Sequence, residues 1–528
     1  LSYRELRREA ERVTGGLQAE GFAPGDRCAI LMANQSKWVI ADLATLWAGG
    51  VLVPLDYKLT PEEQLALVAH ARPKVLVTEH HIYRDLLEAG RDALEGVRVI
   101  VTEAPETMNL AGAERFEAVG GDFRFELRVR DDLASIVYSS GTGGRPKGCM
   151  LTHDNYLSQA MVLGRMFPME EGDRYFSILP TNHAIDFMCG TVIPFLFGAA
   201  VVHQRTLRAE FLAPTMKRYS VTHTALVPRI LRNIEEKIRE QLDELPEWKR
   251  VAVDSLMGLN DLATQKAPNA KLSRALLGPI HDRFGGRLRT IFAGGAYVDP
   301  ALAEFFYKLG FPVAIGYGLT EACTVLTVNE LKPFRATTVG TAVDGVELSL
   351  RDVNDEGVGE VYARGSTIMK GYLDEPELTA EALVGGWLRT GDLGTIDAGG
   401  HLRLFGRARN MIVTAGGKNV YPEDLESAFS AVDCEELCIF AADYIWPRRE
   451  LAGEQLTLVV RPREGQSEAA LREALAEANR KLVDYKRVAS YVMWSEEFPR
   501  TASMKIKRGE LAEQVRAEVG EAQLLLAS

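Results

Sequence analysis

Long apolar runs are missing from this chain, and none approaches the roughly 20 residues a membrane-spanning helix needs. The most apolar stretch, Thr191 to Val202, is interrupted by Pro194 and Gly198 and is expected to be core. No transmembrane segment is expected, while peripheral contact with a membrane stays open. Cysteine is scarce: Cys28, Cys149, Cys189, Cys323, Cys434 and Cys438 are scattered through 528 residues with no CxxC pair. That excludes a disulfide framework and points to reduced thiols and a cytoplasmic setting. Cys434 and Cys438, four apart, would share a face if they lay on a helix; two packing residues are expected there rather than half a metal site. Positive charge is also short, with 61 Lys and Arg against 73 Asp and Glu and a net charge of -12. An acidic balance argues against non-specific nucleic-acid binding but leaves room for an anionic ligand at a locally positive site. Repeats and low-complexity segments are absent too. The chain opens on Leu1 inside a helix-like segment, so a targeting peptide cannot be judged from it.

What is present is alternation. From residue 1 to about 230, helix-like and strand-like segments follow one another: the opening segment, Cys28–Met32, SKWVIADLATLWAGG, VLVPLD, TPEEQLALVAHA, KVLVTEH and VRVIVTE. Thr60 is placed to cap the helix of TPEEQLALVAHA, with Glu63 three residues on to close a capping box. Such repetition predicts α/β layers with largely parallel sheets. Residues from about 231 to 285 are charged and helix-prone, a helical insertion on the outside of that body. Strands return at LRTIFAGGA and PVAIGYG, and short strands with Gly and Asp turns from Gly340 to Gly365 suggest a small antiparallel or barrel-like part. Near Gly406–Asn410 a boundary is expected, dividing the chain into 1–408 and a compact α+β domain of 409–528.

The strongest local signal is Val137-Tyr-Ser-Ser-Gly-Thr-Gly-Gly-Arg-Pro-Lys-Gly148. An apolar strand enters a loop in which glycines let backbone N–H groups turn toward an anion. Ser139, Ser140 and Thr142 offer hydroxyls, Gly141 and Gly143 offer backbone, and Lys147 offers a mobile point charge. Pro146 before Lys147 excludes a Walker A loop, and the spacing is not that of a dinucleotide fingerprint. Taken alone, the bland alternative is a flexible turn between strand and helix.

Four further blocks fit the same chemistry. Gly294-Gly295-Ala296 follows a strand, where glycine admits a flat ring close to backbone. Gly316-Tyr317-Gly318-Leu319-Thr320-Glu321 ends another; Tyr317 can stack on a base, Thr320 can bond a phosphate oxygen, and Glu321 can hold Mg²⁺. Trp387-Leu-Arg-Thr-Gly-Asp-Leu393 offers Asp392 to the hydroxyls of a ribose. Pro499-Arg-Thr-Ala-Ser-Met-Lys-Ile506 carries Lys505. Each alone reads as a turn, a cap or a solvated cation.

The five together, in this order, resemble the superfamily of adenylate-forming enzymes that holds acyl- and aryl-CoA synthetases, peptide-synthetase adenylation domains and firefly luciferase. The resemblance rests on YSSGTGGRPKG, GYGLTE, WLRTGDLG, FGRARN and PRTASMKIKR and spans essentially the whole chain. It implies an α/β fold: a large N-terminal domain of two α/β subdomains plus a distorted β-barrel, with a small mobile α+β C-terminal domain. It implies ATP, Mg²⁺ and coenzyme A as co-substrates and cofactor. Lys505 would serve adenylation with Thr320 and Glu321, Glu321 also holding the metal. The nucleotide would lie against Ser139, Ser140, Gly141, Thr142, Gly143, Lys147, Gly294, Gly295, Ala296, Tyr317, Gly318, Asp392 and Arg407. Arg409 falls on the hinge position, where relatives carry Asp or Lys. Gly416 and Gly417 would line the path of the pantetheine arm. Gly143 replaces a frequent Thr or Ser, and Met504 stands where Gly commonly precedes the catalytic Lys.

For the acid, Leu179-Pro-Thr-Asn-His183 matches the segment bordering the acyl pocket, which assigns His183 and Gly316 to it. A core or capping role is the alternative for His183. The insertion before Gly285, GSTIMKGYLDEPELTAEAL and GGKNVYPEDLE resemble long-chain fatty-acid–CoA ligases. Asp186 admits an amino-acid substrate, although the surrounding FDxS pattern is absent. The acceptor can be coenzyme A or a carrier protein; the uninterrupted run FGRARNMIVTAGGKNVYPEDLE favours coenzyme A. A non-catalytic relative that senses AMP or acyl-AMP also stays open.

Overall fold

The computed structural model describes residues 1–139, 146–413, 419–430, 432–446, 455–501, 505–520 and 523–524. They form two compact units: Leu1–Leu348 with Ala363–Arg389, and Ser349–Tyr362 with Thr390–Ser528. Among the described residues no helix is long and apolar enough to cross a membrane.

In the first unit the opening helix, Tyr3–Ala19, starts on a capping box of Ser2 and Glu5. The expected box of Thr60 and Glu63 is present as well, with Thr60 N–H donating to the Glu63 carboxylate at 2.9 Å and Glu63 N–H to Thr60 Oγ1 at 3.3 Å. These side chains satisfy amides that a first helical turn leaves without partners. The first sheet is built from β1 (Arg27–Leu31), β2 (Val51–Pro54), β3 (Val75–Glu79), β4 (Arg98–Thr102), β5 (Glu114–Arg115), β6 (Leu133–Ser139) and β7 (Lys147–Thr152), with the short strand Gly371–Tyr372 at its edge. Its order is Gly371–Tyr372, β7, β6, β2, β1, β3, β4, β5. Pairing is parallel except at β7 and the Gly371–Tyr372 edge. Strands of such a sheet are apolar on both sides because helices cover both faces. Accordingly Cys28 and Ile30 of β1 pack into a cluster with Trp38 and Phe116, while Ala29 and Leu31 pack into another with Leu65 and Val68.

The second sheet contains β8 (Arg174–Ser177), β9 (Ala200–His203), β10 (His223–Leu226), β11 (Thr290–Ala293), β12 (Val313–Tyr317), β13 (Thr327–Val328) and β14 (Thr341–Ala342). They lie in the order β14-β13-β12-β11-β10-β8-β9, and β13 alone runs against the others, antiparallel to both β12 and β14. The expected helical insertion comprises helices Pro228–Asp243, Glu247–Thr264 and Ala270–Arg283, the last broken at Leu277, two residues before Pro279.

Two expectations need correction. The segment Thr191–Val202 is not uniformly core: Ile193 and Pro194 are buried, but Leu196 is 57% exposed on the helix Ile193–Phe197. The loop after Ser139 does not lead into a helix but joins the antiparallel strands β6 and β7, which places Ser139 opposite Lys147.

The second unit holds strands Glu436–Ala441, Leu456–Arg461, Ser490–Met493 and Gln523–Leu524 in one sheet, in that order. Alternation along the first again sorts two cores: Ile439 packs with Phe429 and Leu471, and Phe440 with Trp494 and Leu511. The helices Pro422–Ala428, Glu468–Arg480 and Arg508–Glu518 supply the covering layers.

One buried carboxyl makes the first unit's stability depend on pH. Asp42, on the helix Ser36–Trp47, is 3% exposed, and its Oδ1 has no hydrogen-bond partner. Burial pushes its pKa up to about 7. The unfolded group ionises near pH 4, so folding loses stability between about pH 4 and 7 and no further above that. Asp42→Asn is expected to raise Tm by roughly 2–4 °C above pH 7, a gain that shrinks as pH falls toward 4. Melting curves at pH 5 and 8 check this.

Candidate functional site

The phosphate-loop hairpin orders its chemistry by strand register. In β6 and β7, Ser139 pairs with Lys147, and Cys149 pairs on the other side with Tyr372. Directly paired residues share a face, and so do residues two apart along a strand. Ser139, Lys147 and Tyr372 therefore stand on one face of three adjacent strands. Lys147 Nζ lies 5.1 Å from the centre of the Tyr372 ring. Glu321 comes to the same face from the short turn Thr320–Ala322: its Oε1 accepts from the Tyr372 hydroxyl at 3.0 Å and from Ser139 Oγ at 3.3 Å. Burial, and then the Glu321 charge, push the neighbouring Cys149 thiol well above its ordinary range. Ser140, Gly141, Thr142 and Gly143 lie outside the described residues.

β11 and β12 bring the next two blocks side by side. Gly294 follows β11, and a Cβ there would stand 2.8 Å from the Gly316 carbonyl oxygen, so glycine is needed for the strand ends to approach. Its role is therefore backbone packing at the strand end before any contact with a ring. Gly295 and Ala296 continue the loop. Tyr317 closes β12, buried and paired with Thr327. A Cβ on Gly318 would lie 1.9 Å from the Thr324 carbonyl oxygen, which folds the chain back and delivers Thr320 and Glu321.

Beside Gly316 lies a small apolar cavity of about 40 Å³. Gly316 and Phe292 line it from the sheet, Phe167 from the helix His153–Met166 and its end, and Ile185, Cys189 and Ile193 from the helical segment after His183. Its lining is apolar, as the hydrocarbon side of a ligand site requires. His183 precedes that segment, with Nε2 3.7 Å from Asp56 Oδ2. Asp186 faces the core: its carboxylate accepts from Ser177 Oγ at 2.8 Å, Thr181 Oγ1 at 3.2 Å and Tyr175 at 3.5 Å, while burial pushes its pKa up to about 7. A buried carboxyl already engaged by three hydroxyls is a poor counter-ion for a substrate ammonium.

In the second unit Asp392 and Arg407 are cross-strand partners, joined by Arg407 Nε to Asp392 Oδ1 at 2.9 Å. Arg407 Nη1 also donates to the Thr390 carbonyl at 2.9 Å, so guanidinium and carboxylate are fixed together. Arg409 sits in the short turn Ala408–Asn410, where burial, then the Arg407 charge, lower its pKa. Lys505 is presented by a tight reversal. Thr501 N–H donates to the Lys505 carbonyl at 2.8 Å, Lys505 N–H donates to Thr501 Oγ1 at 3.1 Å, and Arg500 bridges Ile506. Arg508 anchors that reversal, donating to Glu426 at 2.6 Å and to the Ile439 carbonyl at 2.7 Å. The Lys505 side chain is exposed. Gly416, Gly417 and Met504 lie outside the described residues.

Thus the first unit gathers Ser139, Lys147 and Glu321, with Gly294, Gly316 and Tyr317 at neighbouring strand ends, and the second fixes Asp392 with Arg407. Sequence reasoning missed Tyr372 and most of the cavity wall. Tyr372 was visible only as part of a branch signature; its place beside Lys147 depends on which strand the edge segment pairs with.

Ser139 and Lys147 on paired strands, the Glu321 turn and the apolar cavity beside Gly316 are all carried by the α/β body of the first unit. A family model described as AMP-binding enzyme matches residues 1–373, and the chain belongs to that family of adenylate-forming enzymes. It is similar to the long-chain-fatty-acid–CoA ligase FadD15 of Mycobacterium bovis, 28% identical over 79% of this chain and 71% of that protein. It is also similar to a feruloyl-CoA synthase of an Amycolatopsis species, 29% identical over 97% of this chain and 93% of that one. Among solved structures, ATP-bound MatB from Rhodopseudomonas palustris matches with a TM-score of 0.76 and 26% identity, over 97% of this chain and 93% of that chain. The fold is shared with the anthranilate CoA ligase AuaEII, with a TM-score of 0.78 over 98% of this chain and 93% of that chain, at 23% identity.

Asp392→Ala is expected to raise the dissociation constant of ATP by roughly tenfold or more, since it removes a charged acceptor and frees Arg407. Calorimetric titration with ATP checks this; unchanged affinity would remove Asp392 from ribose recognition.

Proposed function

We propose that this acid–thiol ligase joins a long-chain fatty acid to coenzyme A through an acyl-adenylate made from ATP. The observation that carries this reading is the apolar cavity lined in part by Gly316, one residue before the Tyr317–Glu321 segment that leads to Ser139 and Lys147. An acyl chain buried there puts its carboxylate at the edge of the nucleotide residues.

In the first half-reaction a carboxylate oxygen attacks the α-phosphorus and pyrophosphate leaves. Both reactants are anions, so the task is orientation and charge compensation. Lys505 supplies the cation between carboxylate and α-phosphate, Thr320 a hydroxyl, and the hairpin, with Lys147, receives the leaving phosphates. Glu321 suits Mg²⁺ because it is a hard carboxylate with hydroxyls beside it. When bound, Mg²⁺ neutralises phosphate charge. In the second half-reaction a thiol attacks the acyl carbonyl and AMP departs. We assign this step to coenzyme A, with 409–528 as the domain that turns about Arg409 to withdraw Lys505 and present the Gly416-Gly417 loop.

A thioester assay across acids from acetate to stearate tests the substrate. If the cavity takes an alkyl chain, kcat/KM rises by up to about fourfold per methylene until the cavity is filled, from ~0.8 kcal/mol per buried CH₂. Full-length likeness to feruloyl-CoA synthase favours a second reading, an aryl acid. Preference for ferulate over palmitate would establish it in place of the first.

A further inference from the structure

The strand pair β7 and Gly371–Tyr372 carries a side chain that no step above uses. Tyr372 is 8% exposed, so its hydroxyl and ring are held by their surroundings. Its backbone N–H donates to Thr379 Oγ1 at 2.9 Å, and Thr379 Oγ1 in turn donates to the Glu375 carbonyl at 2.8 Å, which anchors the edge strand to the helix Pro376–Ala382. From that anchor the side chain engages two charges of opposite sign at once. The hydroxyl donates to Glu321 Oε1 at 3.0 Å, and the ring faces Lys147 Nζ at 5.1 Å from its centre.

A carboxylate and an ammonium on one platform attract each other and, left alone, would pair directly. Pairing would spend on each other the two charges that a metal–triphosphate needs. Among the described residues no Lys147–Glu321 ion pair forms, and the aromatic ring occupies the ammonium instead. A ring face holds a cation more weakly than a carboxylate does, so a phosphate can draw Lys147 away. The phenol donates a single hydrogen bond to one carboxylate oxygen and so fixes the direction of Glu321 without neutralising it.

We infer that Tyr372 is a positioning residue for adenylation, a spacer that keeps Lys147 and Glu321 apart and aimed before the nucleotide arrives. The inference rests on the proposed roles of Glu321 toward Mg²⁺ and of Lys147 toward phosphate, and adds a residue acting through both. The hydroxyl serves the metal side and the ring serves the phosphate side. The two functions are therefore separable: Tyr372→Phe removes only the first, Tyr372→Leu removes both.

The test uses the full chain and α,β-methylene-ATP, which binds without reacting. The increase in Tm is followed against Mg²⁺ concentration at fixed analogue for wild type, Tyr372→Phe, Tyr372→Leu and Glu321→Gln. Melting without nucleotide reports whether each variant is folded. Tyr372→Phe is expected to raise the Mg²⁺ midpoint about tenfold. It should slow acyl-AMP formation at least ten times more than thioester formation from supplied acyl-AMP. Tyr372→Leu should in addition weaken metal-free analogue binding by about threefold to tenfold relative to Tyr372→Phe. A Mg²⁺ midpoint that moves in Glu321→Gln but less than twofold in Tyr372→Phe overturns the positioning role and leaves the reading of Glu321 standing. A midpoint unmoved in Glu321→Gln overturns that reading, and the inference falls with it. Equal metal-free affinity in the Phe and Leu variants overturns the part given to the ring.

Discussion

Lys505→Ala lowers the rate of acyl-adenylate formation by about a thousandfold or more, while thioester formation from supplied acyl-AMP changes by only a few-fold. The size follows from the charges: carboxylate and triphosphate repel, and removing one preorganised charge-stabilising group typically costs 10²–10³ in rate even without a second anion to compensate. The asymmetry follows from the step. Attack of a thiol on an acyl-AMP brings together no such pair of anions, so the ammonium has little to stabilise there. The substitution is a clean probe because the Lys505 side chain is exposed and the reversal that presents it is held through backbone groups, Thr501 and Arg508. Single-turnover measurement of the two half-reactions separates them. Equal loss in both steps would remove Lys505 from the chemical role.

Gly316→Val changes which acid is used. An added Cβ at Gly316 has its nearest neighbour, Val325 Cγ2, at 3.8 Å, so the first carbon fits without strain. The methyl groups beyond it then enter the cavity, which Gly316 lines. Excluding about three methylenes of substrate at ~0.8 kcal/mol each costs roughly 2.4 kcal/mol, about fiftyfold in kcat/KM. The loss is expected for palmitate and stearate, while acids short enough to leave the inner cavity empty keep most of their rate. The ratio of kcat/KM for stearate to that for hexanoate is the measurement. A uniform fall across chain lengths would show that the cavity does not hold the alkyl chain.

Much of the fold was legible because it is governed locally. The capping box at Thr60 and Glu63 needs only residues three apart, and strands such as Val75–Glu79 and Leu456–Arg461 announce themselves by runs buried on both faces. What failed was what depends on pairing or packing. That the two faces of the strand segment Leu437-Cys438-Ile439-Phe440 feed two separate cores is decided by packing. Leu196 belongs to an apolar stretch but points away from the body, since a helix of five residues has an outer side. The phosphate loop was visible as composition, whereas the placement of Lys147 opposite Ser139 follows from β7 folding back on β6. Tyr372 was hidden for the same reason: 223 positions along the chain separate it from Cys149, its partner across the sheet edge. Gly294 was recognised as a glycine that must be one, but the carbonyl it clears belongs to Gly316, which only the alignment of β11 with β12 reveals.

The central claim is that a bond forms between a substrate carboxylate oxygen and the α-phosphorus of ATP. Incubation with ¹⁸O-carboxylate palmitate, ATP, Mg²⁺ and coenzyme A, followed by mass analysis of the nucleotide, reads that bond directly. With both carboxylate oxygens labelled, the account predicts AMP carrying one ¹⁸O atom, palmitoyl-CoA keeping the other in its thioester carbonyl, and unlabelled pyrophosphate. Label in inorganic phosphate with ADP as the nucleotide product, or thioester formed beside unlabelled AMP, would contradict it.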